Sequence, residues 1–338
     1  MTVDIEQVGI ISEIAQYREN IATLKSGILI SKSREPGRTS IWQEFAPNTP
    51  IADQIASSEP FSQIKFWMPE KSPLLLQTID ETKKGIVRGG SAHGVGFAEA
   101  VLYDAETRKQ SRETVVYKPF QDPAKAIKEL VNHQLVRYQG VDTVFPICVL
   151  ITTKNSGYFL SLFRGDLQTL DLENWPTYTN KGIKSTTTDR LSKIATLLAD
   201  FHINGISHQD TQMKNFAIIP TGKVIAFDWE SAKIYDNSQR VKDTTIFRYA
   251  GHDLKVLFSS LTRSRKNHGV GFFANLTRQA RWQAFNQLIF TPYINFWANM
   301  IDQNEEILGN PEHEITQMLS DLETDMKKFT EDYSPTLH

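Results

Sequence analysis

Two short apolar runs on either side of a turn form the clearest element pattern in the chain. Residues 216–219 and 223–227 are rich in β-branched and aromatic residues, and a Pro-Thr-Gly turn at 220–222 separates them. Short runs of this composition around turn residues are typical of a β-hairpin. A hairpin brings the residue before its first strand close to the residue after its second strand. The pattern therefore predicts that Asn215 and Asp228 lie near each other.

The spacing of hydrophobic positions predicts further elements along the chain. From Leu74 onward the pattern becomes typical of β-structure. Alternation and short apolar runs predict strands at residues 85–88, 97–103, 114–118, 144–151 and 158–162. Helical spacing predicts helices over residues 1–30, 122–137, 189–202, 282–300 and 311–329. Residues 31–73 are rich in Ser, Pro, Gly and Asn with scattered aromatics and carry no motif.

Composition and charge exclude several classes of protein. The 338 residues fit one large or two smaller domains, and 40% hydrophobic with 22% charged residues is ordinary globular composition. The net charge of −2 gives no support for a nucleic-acid binder, which usually has a basic excess. No apolar stretch is long enough to predict a membrane span, and the first residues do not resemble a signal peptide. We therefore expect a cytoplasmic protein.

The single cysteine, Cys148, lies in the apolar run 144–151. It has no partner in the chain for a disulfide, and its apolar neighbours predict a buried core residue rather than a reactive thiol. Few cysteines are compatible with a reducing compartment.

Polar side chains flank the predicted hairpin at spacings that can support chemistry on a nucleotide. Asp210 precedes Asn215 by five residues, and Asp228 follows the second strand. One carboxylate and one amide oxygen are ligands that Mg²⁺ prefers, since this ion takes hard oxygen donors. Asp210 could orient an acceptor hydroxyl and take its proton. The alternative is an ordinary hairpin with polar loop residues.

The pattern His-x-Asp-x-x-x-x-Asn, followed by an Asp after a hairpin, resembles the signature of the protein-kinase-like superfamily. Here it reads His208, Asp210, Asn215 and Asp228. Gln212 stands where Ser/Thr kinases have Lys. The metal motif is Asp-Trp-Glu instead of Asp-Phe-Gly, and no Ala-Pro-Glu follows. These departures are more similar to the atypical and small-molecule branches.

Three short strings are similar to HipA-like toxin kinases and to the kinase-like domains of lantibiotic-modifying enzymes. They are Lys-Pro at 118–119, Phe-Pro at 145–146 and Lys-Asn-Phe at 214–216. The resemblance to the superfamily implies an α+β, bilobal protein-kinase-like fold with a β-rich N-lobe, a hinge at 163–165 and a helical C-lobe. We expect an N-terminal extension over 1–74 with a helical start and then irregular structure, followed by the N-lobe over 75–162 and the C-lobe over 163–338.

The resemblance also implies that ATP binds together with Mg²⁺. The glycine-rich stretch 89–96 would let backbone N–H groups approach the phosphates, and its expected binding residues are Gly90, Ser91, Gly94 and Gly96. Val116 would lie against the adenine and Lys118 would reach the α- and β-phosphates. Asn215 and Asp228 would hold the Mg²⁺. A hairpin turn and a surface lysine are the respective alternatives for the glycines and for Lys118.

Glu129, in the interior of the predicted helix 122–137, is expected to pair with Lys118 as in kinases generally. The alternative is an exposed helical glutamate. His208 is expected to pack and hydrogen-bond the loop. Asp253 would either hydrogen-bond the backbone of that loop or cap its own helix.

Three functions stay open at the level of the sequence. The chain is a kinase for protein Ser or Thr, a kinase for a small-molecule hydroxyl, or a non-catalytic kinase-like nucleotide-binding module. The strings shared with HipA-like kinases favour the first. Asp-Trp-Glu and Gln212 favour the second. The third is weakened because every expected catalytic position is filled.

Overall fold

The structure is a computed structural model that describes most of the chain from residue 24 onward. It describes residues 24–35, 38–43, 61–69, 72–80, 95–104, 106–151, 157–165, 167–170, 185–234, 245–263, 272–303 and 312–333. The described residues fall into two compact units, within Ser12–Gly165 and within Asp166–His338. We call them the strand-rich unit and the helix-rich unit.

The strands described in the strand-rich unit form one closed antiparallel barrel. They are β1 (Leu24–Glu35), β2 (Arg38–Gln43), β3 (Phe61–Pro69), β4 (Leu74–Asp80), β5 (Gly96–Asp104), β6 (Lys109–Phe120), β7 (Pro146–Ile151) and β8 (Gly157–Leu162). Their order around the barrel is β1-β2-β4-β5-β6-β8-β7-β3, and β3 closes it by pairing with β1. Closure leaves these strands without a free sheet edge.

Among the described side chains, residues of β4 to β8 form the core of the barrel. In β5 the buried positions alternate with half-buried ones, as a strand with one face toward a core requires. The core residues are Leu76, Ala98, Ala100, Leu102, Val115, Ile147, Cys148, Leu150 and Leu160. Burial raises the pKa of the Cys148 thiol. Cys148 is therefore the core residue that its apolar neighbours predict.

One helix, α1 (Pro123–Tyr138), packs on the barrel. Its start agrees with the sequence, since the Asp122 side chain accepts a hydrogen bond of 2.9 Å from the Ala124 N–H and Pro123 is the first helical residue. Gly157 lets the helix approach β8 closely, because a Cβ at this position would lie 2.9 Å from the Pro123 Cα. This close approach fixes the height of α1 over the sheet and, with it, the position of Glu129.

The helix-rich unit contains the remaining described elements. Its helices are α2 (Ser185–Ile203), α3 (Thr245–Thr262), α4 (Arg278–Phe285), α5 (Thr291–Gln303) and α6 (Glu312–Asp332), with a π-helical turn (Asn286–Phe290) joining α4 to α5. Its short strands are β9 (Gln168–Thr169), β10 (Ile206–Ser207), β11 (Phe216–Ile218), β12 (Val224–Ala226) and β13 (Lys233–Ile234). The apolar stripe predicted for α2 is fully buried, at Leu191, Ile194, Ala195, Leu198 and Phe201.

The segment before residue 74 differs from the sequence-based expectation where it is described. Strand β1 includes residues 24–30, for which the apolar stripe predicts a helix. The expectation of irregular structure after this helix is also wrong where the chain is described, because β1 continues to Glu35 and is followed by β2 and β3. A short apolar run fits either element, and pairing with both β2 and β3 decides for the strand. The rest of that predicted helix and the strand predicted at 85–88 lie outside the described residues.

The chain is thus a mixed fold of a β-sheet region and helices. The kinase-like bilobal arrangement and the predicted domain boundaries remain predictions. None of the helices that the structure describes combines the length and the apolar character needed to cross a membrane.

Candidate active site

The predicted hairpin is present and carries two candidate site residues at one end. Strand β11 pairs with β12 in the register Phe216↔Ala226, Ala217↔Ile225 and Ile218↔Val224. Next to the Phe216↔Ala226 pair, at the open end of the hairpin, the Phe227 N–H donates to the Asn215 carbonyl at 3.0 Å. Asn215 ends a 3₁₀ turn (Met213–Asn215) immediately before β11, and Asp228 follows Phe227. Asn215 and Asp228 therefore lie at the same end of the hairpin.

The backbone of Asp228 has an unusual conformation. Its φ of +69° lies in the left-handed region, which L-residues other than Asn and Asp rarely adopt. The next residue, Trp229, is fully buried, with its ring centroid 5.1 Å from that of Phe201 and 4.5 Å from that of His208. The left-handed turn allows the chain to bury Trp229 in the core while the Asp228 carboxylate stays partly exposed.

Two amide side chains orient the carboxylate of Asp210. Gln212 Nε2 donates to Asp210 Oδ1 at 2.7 Å, and Asn215 Nδ2 donates to Asp210 Oδ2 at 2.9 Å. Asn215 Nδ2 also donates to the Asp210 carbonyl at 2.8 Å. Each carboxylate oxygen has a further lone pair for another donor. Because the Asn215 nitrogen makes these contacts, the amide oxygen of Asn215 is the atom that can coordinate a cation.

His208 connects the loop to the end of the hairpin. Its imidazole is fully buried, Nδ1 accepts from the Asp210 N–H at 3.3 Å, and Nε2 lies 3.0 Å from the Phe227 carbonyl. Only the neutral tautomer with its hydrogen on Nε2 makes both hydrogen bonds. His208 thus joins Asp210 to the residue before Asp228, a packing and hydrogen-bonding role that agrees with the sequence-based expectation.

Asp253 anchors the loop from α3. Its fully buried carboxylate accepts hydrogen bonds from the backbone N–H groups of His208 (2.9 Å) and Gln209 (2.8 Å) and from the Ser207 hydroxyl (2.9 Å). The Thr211 hydroxyl also donates to the Asp253 carbonyl. Asp253 lies well inside α3, so it does not cap that helix. Of the two expectations for Asp253, the structure shows the loop contact.

A buried histidine completes the partners of Asp253. His202 Nε2 donates to Asp253 Oδ2 at 3.0 Å, and its Nδ1 lies 2.9 Å from the Tyr293 hydroxyl. Burial by itself raises the pKa of Asp253, but the hydrogen bond and charge of His202, together with the hydrogen bond from Ser207, outweigh it. The pKa of Asp253 therefore lies below its ordinary value. Burial raises the pKa of Tyr293, so its phenol stays protonated.

The strand-rich unit contains the ion pair that the sequence predicts. Lys118 Nζ on β6 lies 2.8 Å from Glu129 Oε2 on α1. The Glu129 side chain is 2% exposed and the Lys118 side chain 12% exposed. Lys118 Nζ also lies 4.7 Å from the centroid of the Phe120 ring. Glu129 is therefore a buried partner of Lys118, not an exposed helical glutamate.

The remaining predicted nucleotide-binding residues are only partly described. Gly90, Ser91 and Gly94 lie outside the described residues. Gly96 is the first residue of β5, and a Cβ there would lie 2.2 Å from the ring of Tyr117. Packing against Tyr117 thus explains the glycine at position 96 without a ligand. Val116 is half-buried on β6, two residues before Lys118.

Two contributors to the loop geometry are not identified by the sequence analysis. The amide of Gln212 contacts Asp210, although Gln212 is noticed in the sequence only as a departure from the kinase pattern. His202 is the partner of Asp253, although the two residues are far apart in the chain. No local signal links His202 to Asp253, because only the packing of α2 and α3 brings them together.

Comparisons with known proteins add little to this geometry. No protein-family model matches the chain, and no curated protein matches it in sequence. Among solved structures, it is similar to "WaaP in complex with acyl carrier protein", with 13% identity and a TM-score of 0.35. This similarity covers 72% of the present chain and 89% of the other.

The Asp253 network predicts a pH-dependent contribution to stability. Asp253→Asn should lower the free energy of unfolding by about 3–5 kcal/mol at neutral pH, because it leaves buried donors without a charged acceptor. The pKa of Asp253 is depressed in the folded state, so its contribution is complete above the unfolded pKa and is lost as pH falls through the folded pKa. The difference between wild type and variant should therefore shrink below the ordinary carboxyl value of 3.8.

Urea unfolding from neutral pH into acid measures this difference. Asp325→Asn is the matched control, because Asp325 pairs with Lys255 at the surface (2.6 Å) and exposed pairs contribute about 0–1 kcal/mol. An equal, small loss for both variants would show that Asp253 does not carry the network.

Proposed function

We propose that the chain is a phosphotransferase that moves the γ-phosphoryl group of Mg-ATP to a hydroxyl acceptor. The observation that carries the proposal is the geometry around Asp210. One amide, that of Asn215, contacts the Asp210 carboxylate, and the backbone of the same Asn215 is hydrogen-bonded to Phe227, the residue before Asp228. These contacts support a role for Asp210 as proton acceptor and for Asn215 and Asp228 as oxygen ligands of a cation.

The oxygen donors of the helix-rich unit fit a magnesium ion. Asn215 and Asp228 present an amide oxygen and a carboxylate, which are hard ligands of the kind that Mg²⁺ uses alongside substrate phosphates and water. The left-handed backbone of Asp228 lets Trp229 enter the core without burying this carboxylate. Bound Mg²⁺ would neutralise charge on the nucleotide phosphates.

Lys118 is proposed to contact the nucleotide phosphates. The lysine side chain is flexible and ends in a point charge, so its ammonium group contacts a phosphate reliably only when another group holds it in one position. Glu129 provides this restraint, since it is almost fully buried and lies 2.8 Å from Lys118 Nζ. The Phe120 ring beneath the ammonium group restrains it further.

Asp210 is proposed to orient the acceptor hydroxyl. Transfer forms a bond between the acceptor oxygen and the γ-phosphorus and breaks the bond from that phosphorus to the bridging oxygen, leaving ADP. The hydroxyl proton passes to Asp210. The contacts from Gln212 and Asn215 fix both carboxylate oxygens, so the remaining lone pairs point in defined directions. Pre-set geometry of this kind is a large part of catalysis in phosphoryl transfer.

The acceptor is proposed to be a Ser or Thr hydroxyl of a protein. The resemblance of the Lys-Pro and Lys-Asn-Phe strings to HipA-like kinases supports this choice. A small-molecule hydroxyl is the second candidate, and Gln212 supports it, because an amide and not a lysine contacts Asp210. Incubation with γ-labelled ATP and Mg²⁺, with and without cell lysate, distinguishes them by whether the label is found in protein or in metabolite.

Binding of ATP is predicted to depend on Mg²⁺ through Asp228. Calorimetry should show tighter ATP binding with Mg²⁺ than with a chelator, and Asp228→Asn should remove most of that difference. Asn tolerates the left-handed conformation, so the backbone should be preserved. Asp122→Asn is the matched control, because it makes the same chemical change at a helix cap and Asn caps equally well. The proposal fails if wild-type protein binds no ATP in either condition.

Asp210→Asn is predicted to separate binding from transfer. The variant keeps the shape of the side chain but loses its charge and basicity, so kcat should fall by about 10²–10⁴ while ATP affinity stays nearly unchanged. Circular dichroism checks the fold, and calorimetry and labelled-phosphate transfer measure the two effects. Transfer by folded Asp210→Asn at the wild-type rate would refute the assignment.

Lys118 and Glu129 are predicted to act as a unit. Lys118→Ala and Glu129→Ala should each lower turnover, and the double variant should lose less than the sum of the two, since either change already breaks the pair. Steady-state rates of the four proteins complete the cycle. Full additivity would mean that the ion pair does not contribute to turnover.

A further inference from the structure

A second buried side chain lies against Glu129 on the side away from the lysine. His133, one turn further along α1, has its Nε2 3.6 Å from Glu129 Oε1, while Lys118 contacts Oε2. The His133 side chain is completely buried and that of Glu129 nearly so. The distance is within ion-pair range and slightly longer than a hydrogen bond. In surroundings of low dielectric, such contacts are stronger than at the surface.

An aromatic ring holds the imidazole in this position. His133 is stacked on Phe159, with ring centroids 4.9 Å apart and an interplanar angle of 22°. Phe159 on β8 is directly opposite Lys118 on β6. Opposite residues of an antiparallel pair lie on the same face of the sheet. Lys118, Glu129, His133 and Phe159 thus form a closed ring of neighbours across the interface between α1 and the sheet.

We propose that His133 is a positioning residue that holds the Glu129 carboxylate so that its Oε2 faces Lys118. A glutamate has three rotatable bonds, and one contact at Oε2 leaves its orientation poorly restrained. The imidazole supplies the second restraint as a polar contact, since its Nε2 lies 3.6 Å from Oε1. The role in turnover rests on the proposed function. The hold on Lys118 itself does not, because it is a property of the strand-rich unit.

Two substitutions at His133 separate stacking from polarity. His133→Phe keeps an aromatic ring on Phe159 but removes the N–H group. His133→Gln keeps an N–H donor near Glu129 but removes the ring. If His133 is only a packing residue, both stability and activity should be better preserved in the Phe variant. If it positions Glu129, the two properties should follow opposite orders.

The expected result is that His133→Phe unfolds at a urea concentration at least as high as His133→Gln does, yet has the lower kcat/KM for ATP, by about tenfold relative to wild type. The loss should appear mainly in the KM for ATP, because Lys118 is then less well held. Higher activity in the Phe variant than in the Gln variant would overturn the proposal, as would wild-type activity in both.

A second measurement tests the proposal without any catalysis. The coupling between Lys118→Met and Glu129→Gln, obtained from urea unfolding of the full chain, should decrease in the His133→Phe background and persist in the His133→Gln background. Unchanged coupling in the Phe background would overturn the positioning role. A protein that shows this decrease but neither binds nor turns over ATP would instead contradict the proposed function.

Discussion

The buried carboxylate of Asp253 is the constraint on which the loop around Asp210 depends. Burying a charge costs several kcal/mol unless donors surround it. Here two backbone N–H groups, a hydroxyl and the His202 imidazole all donate to the carboxylate. The same contacts fix the backbone at His208 and Gln209, just before Asp210. Gln209 can thereby keep its left-handed φ of +65°, which a longer side chain rarely adopts without support.

Each of the two units contains a buried carboxylate with a buried histidine beside it. In the helix-rich unit, Asp253 Oδ1 accepts from the Gln209 N–H, and Asp253 Oδ2 accepts from His202 together with the Ser207 hydroxyl and the His208 N–H. In the strand-rich unit, Glu129 directs one oxygen toward Lys118 and the other toward His133. In each case the buried histidine lies beside an aromatic side chain and restrains the carboxylate through one of its oxygens. A carboxylate that is restrained at both oxygens has few orientations left. Its other partners, which are Lys118 for Glu129 and the loop backbone for Asp253, are therefore held more firmly.

The sequence predicts those parts of the site that depend on local spacing. The hairpin and the proximity of Asn215 to the residue before Asp228 follow from two short apolar runs around a turn. The start of α1 follows from Asp122 and Pro123, and Glu129 is then the acidic residue available inside the helix. These features need only the period of a strand or a helix and the chemistry of a cap.

Features that depend on distant contacts are not predictable in this way. Asp253 could equally have capped α3, and only the packing of that helix beside the loop decides. Residues 24–30 fit a helix as well as a strand, and pairing with two neighbouring strands selects the strand. The contact between His133 and Phe159 joins residues from two elements, so nothing near His133 in the sequence reveals it.

The backbone contacts of Asp253 also make the loop tolerant of its side chains. Since the carboxylate binds the N–H groups of His208 and Gln209, the path of the loop depends little on the side chain at position 209. Further along the loop, the Gln212 amide reaches Asp210 at 2.7 Å and restrains its carboxylate. An amide does so without adding positive charge beside Asp210. The proposed acceptor site therefore combines an anchored loop with an uncharged side chain at position 212.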